Sequence, residues 1–204
     1  MTTPLFMIEK NRRWLILAVF FALLLTKSIG AFLSLFFGLI VYLYLRKKLK
    51  GPHLIFLFGL FLLIIFIFFW RFWGQREHTN PAFSAVMRLG YWRQTLEIIK
   101  EHPLTGTGLG NFNLSFSRYA HNSYLQILAE TGIFGLFSFM WLIFCIFKVA
   151  IKKACVSKNQ ACLISSGMIF LLHNFLDFTL FLPEVFFIWW VIMGLGVEEK
   201  GINP

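Results

Sequence analysis

Long runs of apolar residues constrain this chain more than any other feature of its sequence. The clearest run extends from Leu54 to Trp73, which is long enough to cross the ~30 Å hydrocarbon layer of a membrane as a helix. The chain is 58% hydrophobic and contains 27 phenylalanines among 204 residues, more apolar surface than a soluble domain of this length can bury. The sequence therefore predicts a membrane protein.

The spans are expected to be helices, because lipid offers no hydrogen-bond partners to exposed backbone amides. The alternating pattern of a membrane barrel is absent. We predict an all-α fold in which residues 1–204 form a single membrane domain with about six transmembrane helices. The predicted spans are 14–26, 31–45, 54–73, 133–150, 161–175 and 185–197. No small-residue cleavage site follows the first span, which indicates a retained helix rather than a signal peptide.

Basic residues predict how the helices are oriented across the membrane. The formal net charge is +10, and most cations flank apolar runs, which argues against nucleic acid as a partner. The clusters comprise Lys10, Arg12 and Arg13, then Arg46, Lys47, Lys48 and Lys50, then Lys148, Lys152, Lys153 and Lys158. With six spans all of these clusters fall on one side, which should be the cytoplasm, together with both termini. The expected location is a bacterial inner membrane.

Residues 71–121 are then left as a large extracytoplasmic loop. Within it, apolar side chains recur every three or four residues between Phe83 and Glu101, which predicts an amphipathic helix lying in the membrane interface and stopped by Pro103. The loop is also unusually basic. Two interpretations stay open: an ordinary solvated loop, or a binding site for an anionic ligand.

Three alternating glycines, Gly106, Gly108 and Gly110, follow this helix. They do not form a nucleotide-binding motif, because no strand precedes them and no βαβ unit follows. Tight turning and close backbone approach are the favoured roles, and contact of their amides with a ligand stays open. A break in the helix is expected at Thr131-Gly132, which would leave a short half-helix from Asn122 to Glu130 before the fourth span.

His121 and Arg88 are the candidate catalytic residues of the outer loop. A histidine of ordinary pKa can accept a proton near neutral pH, although a structural interfacial histidine fits the position equally well. A guanidinium group can grip phosphate oxygens in pairs, and its alternative role is contact with lipid headgroups. Arg93 and Arg118 are supporting candidates for anion binding. Lys27, at the tip between the first two spans, is a further candidate or a snorkelling side chain.

Other ionisable residues lie near the outer ends of the later spans: Glu130, His173, Asp177 and Glu184. Intramembrane ionisable groups suggest function, but capping or structural roles are favoured here. The three cysteines, Cys145, Cys155 and Cys162, show no metal-binding spacing and are interpreted as reduced thiols. We therefore predict neither a metal site nor a cofactor.

Several of these segments together resemble the O-antigen ligase and polymerase superfamily of bacterial membrane glycosyltransferases. Thr26-Lys27-Ser28-Ile29-Gly30-Ala31 is similar to the family's Ser-Arg-Gly-Ala tip. Arg88 with Trp92, and the run from His102 to Phe112, resemble its outer loop. His121-Asn122-Ser123-Tyr124-Leu125 followed by Glu130-Thr131-Gly132 resembles its most recognisable motif, and the run from His173 to Asp177 resembles its penultimate span.

The resemblance implies transfer of a glycan from an undecaprenyl-diphosphate-linked donor to an acceptor hydroxyl at the periplasmic face. It implies an inverting reaction without a nucleotide sugar or a metal, in which His121 assists the hydroxyl and Arg88 binds the diphosphate. Asn122, Tyr124 and Glu130 are expected to contact substrate. The acceptor could be lipid A core of lipopolysaccharide, a growing glycan or a protein, and membrane lipids are further partners.

Two departures from the family pattern keep alternatives open. Ile29 occupies the position of the arginine in the Ser-Arg-Gly-Ala tip, so one expected phosphate contact is missing. The resemblance also covers only the C-terminal half of family members, which suggests a fragment, a degenerate copy or a split protein with a separate N-terminal half. A non-catalytic membrane subunit and an unrelated transporter fragment are therefore the competing hypotheses.

Overall fold

The computed structural model describes residues 13–26, 28–48, 50–73, 81–154 and 157–197, and the regular structure within these ranges is helical. The α-helices follow one another along the chain, and a single 3-10 turn at Thr179–Phe181 lies between the last two. The helices are α1 Arg13–Thr26, α2 Ile29–Leu45, α3 Gly51–Trp73, α4 Pro81–Glu101, α5 Ser123–Ala154, α6 Lys158–His173 and α7 Pro183–Val197. The all-α prediction is confirmed.

The predicted apolar spans coincide with these helices. Five of the six lie entirely within α1, α2, α3, α5 and α7, and the segment 161–175 runs two residues past the end of α6. By length and composition, the stretches Gly51–Trp70 and Ser123–Lys152 can cross a membrane, whereas the apolar helices Leu17–Thr26, Ile29–Leu45 and Pro183–Val197 are shorter. The number of six spans stays a prediction.

Helix α6 lies at the centre of the bundle and packs against α2, α5 and α7. Its buried face carries small residues, among them Ser165, Ser166 and Gly167. Small side chains let helices approach closely where lipid provides no hydrophobic drive for association. A methyl group on Gly167 would collide with Met193 of α7, and the indole N–H of Trp189 donates to the Gly167 carbonyl at 3.1 Å. The close approach therefore also satisfies a buried polar group.

Helix α4 covers the segment that leads into α5. The predicted helix is present, and it packs against α5. Its residues Tyr91, Ile98 and Ile99 contact a small apolar cluster formed by Phe112, Leu114, Ala120 and Ala129. These three side chains thus anchor the glycine-rich segment 102–121, whereas Val86, Leu89 and Leu96 of the predicted apolar face are exposed. The proposed position of α4 in a membrane interface stays a prediction.

Helix α5 is broken at Gly132, where the expected break is confirmed. Gly132 has φ 67° and ψ −172°, a conformation that essentially only glycine adopts. Such a break frees backbone groups that a continuous helix would pair. The preceding segment captures them: the amides of Thr107 and Gly108 donate to the carbonyls of Ala129 and Glu130 at 2.9 Å, and the Ile133 amide donates to the Pro103 carbonyl at 3.0 Å.

Two glycines make this joint possible. A methyl group on Gly132 would collide with the Leu104 carbonyl, and one on Gly106 would collide with the backbone of Glu130 and Thr131. The glycine-rich segment and the broken helix are therefore packed backbone against backbone. This confirms the structural role predicted for the glycines, and it holds the outer segment rigidly against α5.

Replacement of Gly132 by alanine should strongly destabilise the protein. The backbone strain alone costs about 1–3 kcal/mol, and the collision with Leu104 adds to it. We expect a marked fall in the midpoint of thermal unfolding in detergent. Gly59→Ala is the matched control, because a methyl group there meets nothing within 4 Å. Equal midpoints for the two variants would show that the joint does not stabilise the fold.

Candidate functional site

His121 lies immediately before α5, where the chain turns into the helix. It has φ 51°, a left-handed conformation that is uncommon for a residue other than glycine. The following residue, Asn122, caps the helix: its Oδ1 accepts hydrogen bonds from the amides of Tyr124 and Leu125, both at 3.1 Å. The cap and the turn together fix the direction in which the imidazole leaves the backbone.

A buried polar junction then ties the start of α5 to the turn after α6. The Ser123 hydroxyl donates to Asn174 Oδ1 at 2.6 Å, and the Ser123 amide lies 3.0 Å and 3.1 Å from the carbonyls of Asn174 and Asp177. Asn174 is fully buried, and its Oδ1 also accepts from the Leu180 amide at 2.9 Å. This junction brings residues 177 and 178 beside His121.

Aromatic side chains enclose the His121 ring. Tyr91 of α4 stacks on it with ring centroids 5.3 Å apart, and Phe178 meets it edge to face at 5.0 Å. Tyr119 in turn stacks on Phe178 at 4.2 Å. These contacts leave the imidazole only partly exposed, in an environment less polar than water.

Arg88 lies one helical turn before Tyr91, on the same side of α4. It is half-buried and lines a cavity of about 350 Å³. The cavity walls come from the tip between α1 and α2, from α3 and α4, and from the end of α6. They include Thr26, Ser28, Ile29, Gly30, His173 and Asp177. The cavity thus joins the segments that carry most of the family-like motifs.

His173 and Asp177 form a hydrogen-bonded pair on the cavity wall. His173 Nε2 lies 3.0 Å from Asp177 Oδ2, and Asp177 Oδ1 accepts the Phe178 amide at 2.8 Å. Burial raises the pKa of Asp177, but these hydrogen bonds outweigh burial and the net pKa lies below its usual range. The aspartate is therefore ionised at neutral pH, and the cavity holds a carboxylate as well as a guanidinium group.

The pKa of His121 is lowered, first by burial and then by the positive charge of Arg88, while the Asp177 carboxylate acts in the opposite direction. The imidazole is therefore neutral at neutral pH and can accept a proton. Tyr91, whose ring stacks on His121, lies one helical turn from Arg88, so α4 connects the two predicted catalytic residues. Asp177 interacts with both the cavity and the imidazole.

The other predicted site residues are dispersed. Arg93 and Arg118 are exposed, on α4 and in the outer segment. Asn122 is the helix cap described above, and the Tyr124 hydroxyl donates to the Leu171 carbonyl at 2.8 Å. Lys27 lies outside the described residues, and so does Cys155.

Glu130 is buried, and each of its carboxylate oxygens accepts a hydrogen bond. One oxygen accepts the Gly110 amide at 3.0 Å and the other accepts the Gln126 side-chain amide at 3.0 Å. Gln126 in turn accepts the Ala120 amide at 3.2 Å. Glu130 therefore ties the glycine-rich segment 102–121 to α5, at its middle through Gly110 and at its end through Gln126 and Ala120.

Three neighbours of the site were not predicted to belong to it. Tyr91 could have been found from the sequence, since it is three residues from Arg88 on a predicted helix. For Asp177 a capping or structural role was favoured over a functional one, and Phe178 carries no sequence signal at all. Within the described ranges, no group of three His, Cys, Asp or Glu side chains is placed to hold a metal ion.

Conversion of Glu130 to glutamine tests its role. The amide offers one acceptor where the carboxylate offers two, so either the Gly110 amide or the Gln126 amide loses its partner, at a cost of about 1–3 kcal/mol. We expect a lower midpoint of thermal unfolding for Glu130→Gln and no change for the exposed control Glu101→Gln. An unchanged midpoint combined with a raised KM would instead indicate a direct role in substrate binding.

Comparison with known proteins identifies the family of this chain. The family model described as O-antigen ligase matches residues 14–140, more than half of the chain. The matched stretch contains Arg88, His121 and Glu130, and it ends before His173 and Asp177. No curated protein and no solved structure matched the chain. On the family match, this chain belongs to the O-antigen ligase family of membrane glycosyltransferases.

Proposed function

We propose that the protein transfers a glycan from an undecaprenyl-diphosphate-linked donor to an acceptor hydroxyl at the periplasmic face of the bacterial inner membrane. Family membership supports glycosyl transfer of the O-antigen ligase or polymerase type. The observation that carries the finer proposal is the stack of the His121 imidazole on Tyr91, one helical turn from Arg88, whose side chain lines a cavity. The basic clusters support cytoplasmic termini and an extracytoplasmic site.

In this proposal Arg88 holds the diphosphate. A guanidinium group pairs with phosphate oxygens through two parallel hydrogen bonds. As the bond between the anomeric carbon and the phosphate oxygen breaks, negative charge grows on the diphosphate. A cation already fixed beside it stabilises the transition state more than the ground state, and this difference accelerates the reaction. The proposed reaction requires no metal ion.

His121 acts as the general base. The acceptor hydroxyl attacks the anomeric carbon from the face opposite the leaving diphosphate, so the configuration at that carbon inverts. The hydroxyl proton passes to the imidazole as the new bond forms. The stack on Tyr91 and the edge contact with Phe178 hold the ring in place.

One observation favours a second candidate function. Ile29, at the position where the family tip carries arginine, lines the same cavity as Arg88. The cavity therefore receives an apolar side chain where a second phosphate contact is expected. A membrane subunit that binds the lipid diphosphate without transferring its glycan fits this feature, and a direct transfer assay separates the two functions.

Replacement of His121 by alanine should lower transfer about 10²–10⁴-fold, the usual contribution of a general base. Transfer is measured with purified protein in liposomes, a lipid-linked glycan and a hydroxyl acceptor. Donor binding should persist, because Arg88 is intact. His53→Ala is the matched control, since His53 lies about 22 Å along α3 from the cavity residue Phe68. Undiminished transfer by His121→Ala would remove the imidazole from the mechanism.

The pH dependence should report the link between Arg88 and His121. Transfer requires neutral His121, so the rate should fall as the pH drops through its lowered pKa, below 6.5. Arg88→Gln removes one cause of the lowering and should move this acid limb to higher pH. Arg88→Lys keeps the charge, so the limb should stay in place while KM for the donor rises through loss of bidentate contact. If the acid limb lay at the same pH in wild type, Arg88→Gln and Arg88→Lys, the assignment of this limb to His121 would be contradicted.

A further inference from the structure

Helices α2 and α6 pack antiparallel, and their contacts define the end of the bundle that lies opposite His121. Near the His121 end, Gly30 of α2 lies beside His173 of α6. Farther along, a methyl group on Gly38 would collide with the Ile169 side chain, so the two helices approach closely. At the opposite end, α2 therefore stops and α6 begins.

Two basic residues occupy that end, one from each helix. Arg46 caps the C-terminus of α2, eight residues and about 12 Å beyond Gly38. Lys158 begins α6, eleven residues and about 16 Å before Ile169. Both spacings are sums of three- and four-residue steps, so each cation stays on the side by which its helix packs against the other. Arg46 and Lys158 together are called the basic seam below.

The charge of the basic seam is not offset by the protein around it. Within the described ranges neither cation forms an ion pair. Lys158 also lies at the positive end of the α6 dipole, which adds to the positive potential. The carboxylates that the structure describes belong to α4, to the first half of α5, and to the chain between α6 and the first turn of α7: Glu97, Glu101, Glu130, Asp177 and Glu184. An anion bound at the seam would therefore relieve repulsion between like charges.

Apolar side chains beside the basic seam indicate what kind of anion this is. Tyr44, two residues before Arg46, is 72% exposed, and Val149 and Ile151 near the end of α5 are exposed as well. In a membrane protein such side chains face lipid, and aromatic residues are enriched at the level of the headgroups. A ligand that carries acyl chains next to its negative charge fits this surface better than a soluble anion does.

We propose that the basic seam binds the phosphate of an anionic phospholipid, such as phosphatidylglycerol, in the leaflet that the basic clusters predict to be cytoplasmic. The guanidinium group of Arg46 and the ammonium group of Lys158 donate to the phosphate oxygens, and the acyl chains lie along the exposed apolar surface. The bound lipid joins the end of α2 to the start of α6. The inference is independent of the proposed function, because the seam and the Arg88 cavity lie at opposite ends of the bundle.

Thermal unfolding in a neutral detergent tests the inference without requiring transfer. Purified full-length protein is titrated with phosphatidylglycerol, and separately with phosphatidylcholine of the same acyl chains as the zwitterionic comparison. We expect phosphatidylglycerol alone to raise the unfolding midpoint. Arg46→Gln and Lys158→Gln should each raise its half-saturating concentration about fivefold, the usual contribution of one cation at an anionic lipid surface. Lys148→Gln is the matched control, because Lys148 is exposed on α5 and does not belong to the seam.

The direction of the change in midpoint distinguishes a ligand site from a structural role. Without lipid the two cations only repel each other, so the midpoints of Arg46→Gln and Lys158→Gln should equal or exceed that of the wild type. With saturating phosphatidylglycerol the wild type should have the highest midpoint. Variants that unfold at a lower midpoint than the wild type under both conditions would show a structural role instead and would overturn the inference.

Other results would also overturn it. Equal stabilisation by phosphatidylglycerol and phosphatidylcholine, or by inorganic phosphate, would show that no anionic lipid is recognised, and so would an unchanged lipid dependence in both glutamine variants. The acidic pair Glu198 and Glu199 follows α7, outside the described ranges, and is the competing occupant. A lower midpoint after replacement of both by glutamine, with no response of the wild type to phosphatidylglycerol, would assign the seam to this segment.

Discussion

The buried hydrogen bonds between Ser123 and Asn174 determine where the candidate site can form. They join the first turn of α5 to the turn after α6, two segments about fifty residues apart in sequence. Asn174 is fully buried and its Oδ1 accepts from three donors, Ser123, Thr179 and Leu180. A buried amide that lost these partners would be costly, so the junction has one stable arrangement. His121 and Asp177 lie next to this junction, so their backbone positions are fixed by it.

A second rigid joint supports the first from the other side. The break at Gly132 exposes carbonyl groups that the glycine-rich segment captures, and Glu130 fixes the same segment through Gly110. The first half of α5 is therefore held at both ends, by Asn174 at its start and by the outer segment at its break. His121 precedes this short, doubly anchored helix, so its backbone position is fixed without a ligand.

Much of the helical framework could be predicted from the sequence because its signals are local. The apolar runs gave the helix positions, the spacing between Phe83 and Glu101 indicated helix α4, and Thr131-Gly132 marked the break in α5. The family motifs pointed to Arg88 and His121, and the structure connects them through Tyr91, which stacks on His121 one helical turn from Arg88. These features depend on residue type and spacing alone, which a sequence displays directly.

The surroundings of the site could not be predicted, because they depend on which distant segments meet. Phe178 follows α6 in a short irregular turn, and nothing in its own neighbourhood indicates contact with a histidine almost sixty residues earlier. Asn122 and Glu130 were expected to contact substrate, yet both already accept hydrogen bonds from the backbone. Polar residues near a membrane site can serve the fold or the ligand, and only the tertiary contacts distinguish these roles.

Arg88 links the two halves of the proposed chemistry. Its charge would attract the diphosphate, and the same charge adds to the effect of burial in lowering the pKa of His121. A bound diphosphate would offset that charge and make the imidazole more basic when the acceptor hydroxyl is to be deprotonated. Asp177 acts on His121 in the same sense as the diphosphate, but it is permanently present and held by His173. Donor binding would thus raise the pKa of His121 from its lowered value, so the imidazole would become a stronger base only when the donor is bound.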